Sequence, residues 1–120
     1  MPRYVDSFVS PIPKKNVDAY RKIARRAGRG WREHGALEYK ECIAEHVKKG
    51  VLASFPRSVK LRKDEIVFFS WIVFKSRAHR DRVNAKGMRD PRIGMGMDPA
   101  SVPFDAKRML YGGFEIAVAP

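Results

Sequence analysis

Hydrophobic positions crowd most densely in Ile66-Val67-Phe68-Phe69-Ser70-Trp71-Ile72-Val73-Phe74, where every residue except Ser70 is large and apolar. β-Branched and aromatic side chains dominate, and the period-2 alternation of a strand with one wet face is missing. The run therefore reads as a strand from about Glu65 to Phe74 with both faces covered. Upstream, Arg3 to Pro11 alternates Val5, Ser7 and Val9 against Tyr4, Asp6, Phe8 and Ser10, which predicts a first strand ended by Pro11 and Pro13. From Lys14 to about His34, Val17, Tyr20, Ala24, Ala27 and Trp31 recur at three- and four-residue spacings, the apolar stripe of a helix stopped by Gly35. Alternation returns from Leu37 to Val47 and ends at Lys48-Lys49-Gly50, a second strand. Val51 to Lys63 contains Pro56 and a basic tract and reads as an edge extension followed by an exposed loop. After the apolar strand, Ser76 is a good N-cap for a helix to about Met88, with a thin stripe of Ala78, Val83, Ala85 and Met88. Glycine and proline make Ile93 to Pro103 a loop, and Met109 to Val118 is the last strand.

The order is strand, helix, strand, strand, helix, strand. Two right-handed β-α-β units interleave into an α+β, ferredoxin-like βαββαβ fold, a four-stranded antiparallel sheet with both helices on one face. Two helices cover one face only, yet the Ile66 to Phe74 strand is apolar on both. A second copy of the sheet is the natural cover, so a homodimer packed sheet to sheet into an α/β barrel is expected.

At 120 residues the chain suits a single domain, residues 1–120. Charge changes the picture more: 25 Lys and Arg against 13 Asp and Glu give a net charge of +12. Such a balance permits nucleic-acid binding through counterion release, with Arg21, Arg25 and Arg29 on the first helix as the residues to carry it. The strands show no ribonucleoprotein aromatic signature, and the aromatic residues are needed for core. His34, His46, His79 and the single Cys42 make no metal motif, and Gly94-Met-Gly-Met lacks the lysine of a phosphate loop, so no metal or cofactor is expected. No apolar run approaches the ~20 residues that cross a bilayer. No signal-like start appears, since Arg3 and Asp6 interrupt it, so a cytoplasmic location away from membranes is expected.

Four stretches taken together resemble a family of small bacterial YbaA-like proteins. They are Tyr4-Val-Asp-Ser-Phe-Val, Trp31-Arg-Glu-His-Gly-Ala-Leu-Glu-Tyr, Phe69-Ser-Trp-Ile-Val-Phe-Lys-Ser-Arg-Ala-His-Arg-Asp-Arg-Val-Asn and Pro103-Phe-Asp-Ala-Lys-Arg-Met-Leu-Tyr-Gly-Gly-Phe-Glu. The resemblance spans nearly the whole chain and implies the dimeric α/β-barrel superfamily. Relatives in that fold include cofactor-free monooxygenases, haem-degrading enzymes, isomerases and ligand-sensing domains. It implies no activity, because function resides in a site and not in a fold.

The site must come from polar residues on otherwise apolar strands. Asp6, Glu38, Glu41, Trp71, Tyr111 and Glu115 converge on one cavity if the registers allow, and an acid there has its pKa raised by desolvation, as a general base near neutrality requires. The competing reading pairs these acids with Lys40, Arg3 or Lys107. His79, in the first turn of the second helix, is either a hydrogen-bonded structural residue or a pocket acid-base group. The expected ligand-binding set is Asp6, Trp71, His79, Tyr111 and Glu115, with His79 and Asp6 as catalytic candidates. The functional expectation is a homodimer that binds a small organic ligand, or transforms it without a cofactor. The alternatives are an RNA or other nucleic-acid binder and an interaction module without catalysis.

Overall fold

The computed structural model describes residues 1–93 and 102–120. Its elements are β1 (Tyr4–Pro13), α1 (Val17–Glu33), β2 (Glu38–Ile43), a short α2 (Phe55–Ser58), β3 (Glu65–Phe74), α3 (Arg77–Gly87) and β4 (Leu110–Glu115). The strands form one sheet in the order β2-β3-β1-β4, every neighbour antiparallel. With α1 and α3 packed on the same face, this is the ferredoxin-like α+β arrangement expected from the element order. The apolar run Ile66 to Phe74 lies inside β3, which pairs with β1 from Tyr4↔Phe74 to Pro13↔Glu65 and with β2 from Glu38↔Val73 to Ile43↔Phe68.

Register assigns every strand residue to a face, because directly opposed residues point the same way. Asp6 lies opposite Ile72 and Gly113, Phe8 opposite Tyr111, and Glu41 opposite Ser70, so these share the helix side. Two buried clusters fill that side: Tyr4, Trp31, Ala36, Ile72, Phe74 and Val83, and then Ile12, Tyr20, Ala24 and Phe68. Burying a Phe74- or Ile12-sized side chain contributes about 1.5–3 kcal/mol, so the layer between helices and sheet is where the stability resides. The opposite face carries Val5, Val9, Phe69, Trp71, Val73, Leu110 and Phe114 and is left partly open; Phe114 is 58% exposed and Leu110 43%.

Several boundaries differ from the expected ones. Strand β1 runs through Pro11 and Pro13 instead of ending there. Ile116 N–H donates to the Arg3 carbonyl and Lys14 N–H to the Asp64 carbonyl, so odd residues of β1 turn their backbone polar groups toward β4 and even ones toward β3. β4 pairs only as far as Val9, and the two prolines, which lack a donor, fall on the uncovered side. β2 stops at Ile43 rather than Val47, and α2 occupies part of the expected loop, its N-cap Ser54 accepting from Arg57 N–H at 3.2 Å. Helix α3 buries only Val83 and Gly87, and Met88 from its expected stripe is 47% exposed. Of the loop expected from Ile93 to Pro103, positions 94–101 lie outside the described residues.

Candidate functional site

The most unusual group on the helix side is Glu41. It sits on edge strand β2, two residues after Tyr39, so the alternation of the strand turns both side chains inward under α1. Tyr39 Oη donates to Glu41 Oε2 at 2.6 Å, and Tyr20 Oη, reaching down from α1, donates to Oε1 at 2.8 Å. Tyr20 is fixed by edge-to-face contacts with Phe68 and Phe104, at centroid distances of 4.8 and 5.3 Å. Tyr39 is fixed by Gly28: a Cβ there would lie 2.6 Å from its ring. Only glycine lets the helix approach the phenol so closely.

Among the described residues no ion pair reaches Glu41. Burial therefore dominates and raises its pKa above the ordinary 4.5, against smaller lowering effects of hydrogen bonds from Tyr39, Tyr20 and Ser70. Both phenols are pushed upward, first by burial and then by the neighbouring Glu41 charge, so they stay protonated donors. The result is a carboxyl group clamped between two hydroxyls, with its neutral form favoured by burial.

This clamp borders two cavities. The first, about 680 Å³, opens between α1 and β2 and is lined by Tyr20, Ala24, Gly28, Tyr39, Glu41 and Phe68, with Arg21, Arg25, Arg29, Arg32 and Lys40 around it. The second, about 860 Å³, lies on the other side of α1, against Phe8, Trp31, Ser70, Ile72, Ile93 and Phe104, and shares Tyr20, Tyr39 and Glu41 with the first. Both are in the size range of small-ligand sites and mostly apolar, with few polar groups.

The residues singled out from the sequence fall into three places. Asp6 and Tyr111 do meet, on the helix side beyond Phe8: Tyr111 Oη donates to Asp6 Oδ1 at 3.3 Å. The main partner of Asp6 is Arg80 on α3, whose Nε lies 3.3 Å from Oδ1; the same guanidinium donates to Tyr4 Oη at 3.2 Å and sits over the Tyr4 ring. Asp6 is 2% exposed, and burial raises its pKa while Arg80 and Tyr111 pull it back. Gly113 makes room, since a Cβ there would meet Tyr4 Oη at 2.5 Å and Arg80 Nη2 at 2.9 Å. The expected partners Arg3, Lys40 and Lys107 are thus replaced by Arg80, and the set is an ion-paired bolt joining β1, α3 and β4. Glu115 is exposed at the far end of β4, opposite Tyr4.

His79 stands one helical step from Arg80, and that step turns it elsewhere. Its Nδ1 accepts from Lys75 N–H at 3.0 Å, its ring meets Phe74 edge-on, and its Nε2 would lie 3.3 Å from a Cβ on Gly35, whose φ of +121° makes the turn between α1 and β2. Burial, and then Lys75, Arg82 and Lys86, lower its pKa, so it is a neutral wedge at that turn. Trp71 and Glu38 lie on the open face, where Trp71 Nε1 donates to Glu38 Oε2 at 2.9 Å. They cannot share a cavity with Asp6 or Glu41, because the sheet stands between them. In the sequence Tyr20 is one member of the helix stripe and Tyr39 one position of the second strand's alternation. What marks the site in the sequence is an acid and a phenol two residues apart on one strand face, Tyr39 and Glu41. Among the described residues no group of three or more His, Cys, Asp and Glu is gathered as a metal ion would need, and no helix is long and apolar enough to cross a membrane.

Sheet order, helix placement and the cavities between the two layers define a ferredoxin-like α+β protein. A solved structure described as a dimeric ferredoxin-like protein, from an uncultured marine organism, matches it with a TM-score of 0.61 across 100% of both chains at 10% identity. The sequence places it more narrowly. Residues 3–106 match the family described as "protein of unknown function (DUF1428)", and the chain belongs to that family. It is 46% identical over 113 residues to "Uncharacterized protein YbaA" of Escherichia coli K12, covering 94% of this chain and 95% of that one, and equally to the protein of the same name in Shigella flexneri.

Proposed function

We propose that the protein is a homodimer that binds a small organic ligand between α1 and the sheet, with Glu41 as the group that exchanges a proton with it. The observation that carries the reading is the clamp: a glutamic acid with a raised pKa, two phenol donors and, among the described residues, no cationic partner, at the wall of a cavity floored by Tyr20, Tyr39 and Phe68. An acid drawn into the core with only structural duty is ordinarily ion-paired, as the buried Asp6 is with Arg80; half-buried Glu41 is held by hydroxyls instead. Two phenols beside an acid also suit a ligand oxygen on which negative charge develops, since each is a preoriented donor.

The dimer is supported by the open face. Phe55, Phe69 and Trp71 form a continuous aromatic strip, centroids 5.9 Å apart in each pair, flanked by Val5, Val9, Leu110 and Phe114. A patch of this kind on a sheet is normally covered by a partner, and the structural neighbour is described as dimeric. Light scattering at micromolar concentration should give about twice the 13.7 kDa chain mass; a monomer removes the dimer from the proposal.

For the ligand, thermal-shift screening with small aromatic, quinone-like, lactone and fatty compounds should find at least one that raises the unfolding midpoint. Glu41→Gln and Tyr39→Phe should keep the fold and weaken that hit at least about fivefold, roughly what one lost hydrogen bond to a charged or polar group is worth. A hit indifferent to both substitutions, or no hit at all, sinks the assignment.

A further inference from the structure

The arginines on α1 recur at Arg21, Arg25, Arg29 and Arg32, one helical turn apart, and all four border the 680 Å³ cavity that Glu41 closes. Lys22 and Arg26, equally basic and on the same helix, do not border it. Basicity on α1 is therefore sorted: its larger share is turned toward a concavity and not simply toward water. Arg32 is anchored on the carbonyls of Ala36 and Leu37. Among the described residues Arg21, Arg25 and Arg29 enter no ion pair, and Glu33, which also borders the cavity, is taken by Arg92 at 2.6 Å. With a rise of 1.5 Å per residue these three guanidinium stems start about 6 Å apart, along some 12 Å of cavity rim.

We infer that the ligand of this cavity is an organic acid with an apolar ring body, its carboxylate or phosphate held by Arg25 and its neighbours in the row and its ring seated on Tyr20, Tyr39 and Phe68. This inference rests on the proposed ligand site and adds to it the ligand's charge and direction. Guanidinium is the side chain that matches a carboxylate or phosphate in bidentate geometry, and converging positive charge at a mouth with low-dielectric walls concentrates anions there. Glu41, also in the lining, disfavours a second negative group beside it and leaves room for a hydroxyl or carbonyl near the phenols. Rim and floor thus fix the ligand head-outward. A nucleic acid is less well matched, because its binding needs aromatic faces set alongside the phosphate track for bases to stack on, and here the rings of Tyr20, Tyr39 and Phe68 line the concavity the row borders.

Matched probes decide it: 2-naphthoate and 2-naphthyl phosphate against the neutral 2-naphthamide, by titration calorimetry on the full chain, with inorganic phosphate and a single-stranded RNA oligomer as separate arms. The acids should bind at least about tenfold more tightly than the amide at low salt, the gain of a charge-assisted pair. Arg25→Gln with Arg29→Gln, both on the exposed helix surface, should leave the fold intact and reduce that preference to under about threefold, while amide binding stays put. Inorganic phosphate alone should bind far more weakly than naphthyl phosphate, because it lacks the ring. Equal affinity for acid and amide, with both weakened by Glu41→Gln, overturns the anion row and keeps the cavity. Binding by none of the naphthyl probes overturns both. RNA binding that persists at 0.15 M salt, is abolished in the double variant and occurs without naphthoate binding overturns the inference in favour of a nucleic-acid surface.

Discussion

Glu41 and Glu65 are glutamates of one sheet whose surroundings move them in opposite directions. Glu65, 6% exposed at the start of β3, is clasped by two guanidinium nitrogens of Arg108 and by the backbone N–H of Arg62, and Arg108 also donates to the carbonyls of Val59 and Lys60. The Arg108 hydrogen bonds outweigh desolvation and hold Glu65 below 4.5. Among the described residues Glu41 receives only hydroxyls, and desolvation carries it above 4.5. One carboxylate is locked as an anion that ties the loop after α2 to the turn before β4. The other has its neutral form favoured. The difference lies in the partner: a guanidinium supplies the compensating charge, and a phenol supplies only direction.

The comparison breaks most visibly at Arg108. Arg108→Ala leaves a buried carboxylate without its cation and should cost about 3 kcal/mol in urea unfolding at pH 7 and fixed protein concentration. Because Glu65 is held low, its stabilisation is present above 4.5 and lost as pH falls through that value toward the folded pKa. The deficit should therefore shrink at pH 4, and an equal deficit at both pH values would show that the pairing is not what Arg108 contributes.

Gly28→Ala comes next. The added methyl must displace the Tyr39 ring, at a cost of about 1–3 kcal/mol of overpacking. It should also loosen the Tyr39–Glu41 hydrogen bond, so the Glu41 carboxyl resonance should titrate at a different pH from wild type; an unmoved titration would mean that the ring yields without releasing the acid.

A smaller effect, of opposite sense to that at Arg108, is expected from Glu41→Gln. A raised pKa means that the folded state prefers the protonated form, so the stability Glu41 contributes is fully present below 4.5 and is lost as pH rises through its folded pKa. Removing the charge should leave the protein unchanged, or more stable by up to about 1 kcal/mol, at pH 8 and bring no gain at pH 4. Destabilisation at pH 8 would indicate that the charge itself holds α1 to β2. Least disruptive is the wild type, where carboxyl-detected NMR should show Glu41 titrating above 4.5 and Glu65 below it. The same order for both residues removes the contrast altogether.

The fold was legible because hydrophobic period and helix punctuation are local. The alternation of Val5 and Val9 against Tyr4 and Phe8, the stripe from Val17 to Trp31 and the Ser76 cap, whose hydroxyl accepts from His79 N–H at 3.1 Å, each report on their own element. The site was only half legible because pairing register is not local. Asp6 with Tyr111 and Trp71 with Glu38 are both true contacts, but β1 and β3 are offset so that position 6 and position 71 face opposite ways. On α3, the 100° between successive residues separates His79 from Arg80, and a helix with so thin an apolar stripe gives little phase from which to tell which of the two turns inward. Tyr20 and Tyr39 lie 19 residues apart in the chain, and only the close approach at Gly28 brings both to the same carboxyl.

The two chambers flanking α1 share Tyr20, Ala24, Tyr39 and Glu41, and at the acid the two phenols are held by a pair of hydrogen bonds. Carbon packing sets a fixed limit on the size of a guest, whereas hydrogen bonds set one that can be exceeded at a cost of about 1 kcal/mol each. A short guest would be confined to the arginine-lined chamber, and a longer one would cross by displacing the phenols with its own polar atoms. If the proposed ligand site is real, the length of guest it admits depends on exchangeable polar contacts, and affinity should change stepwise, not gradually, along a homologous series of acids.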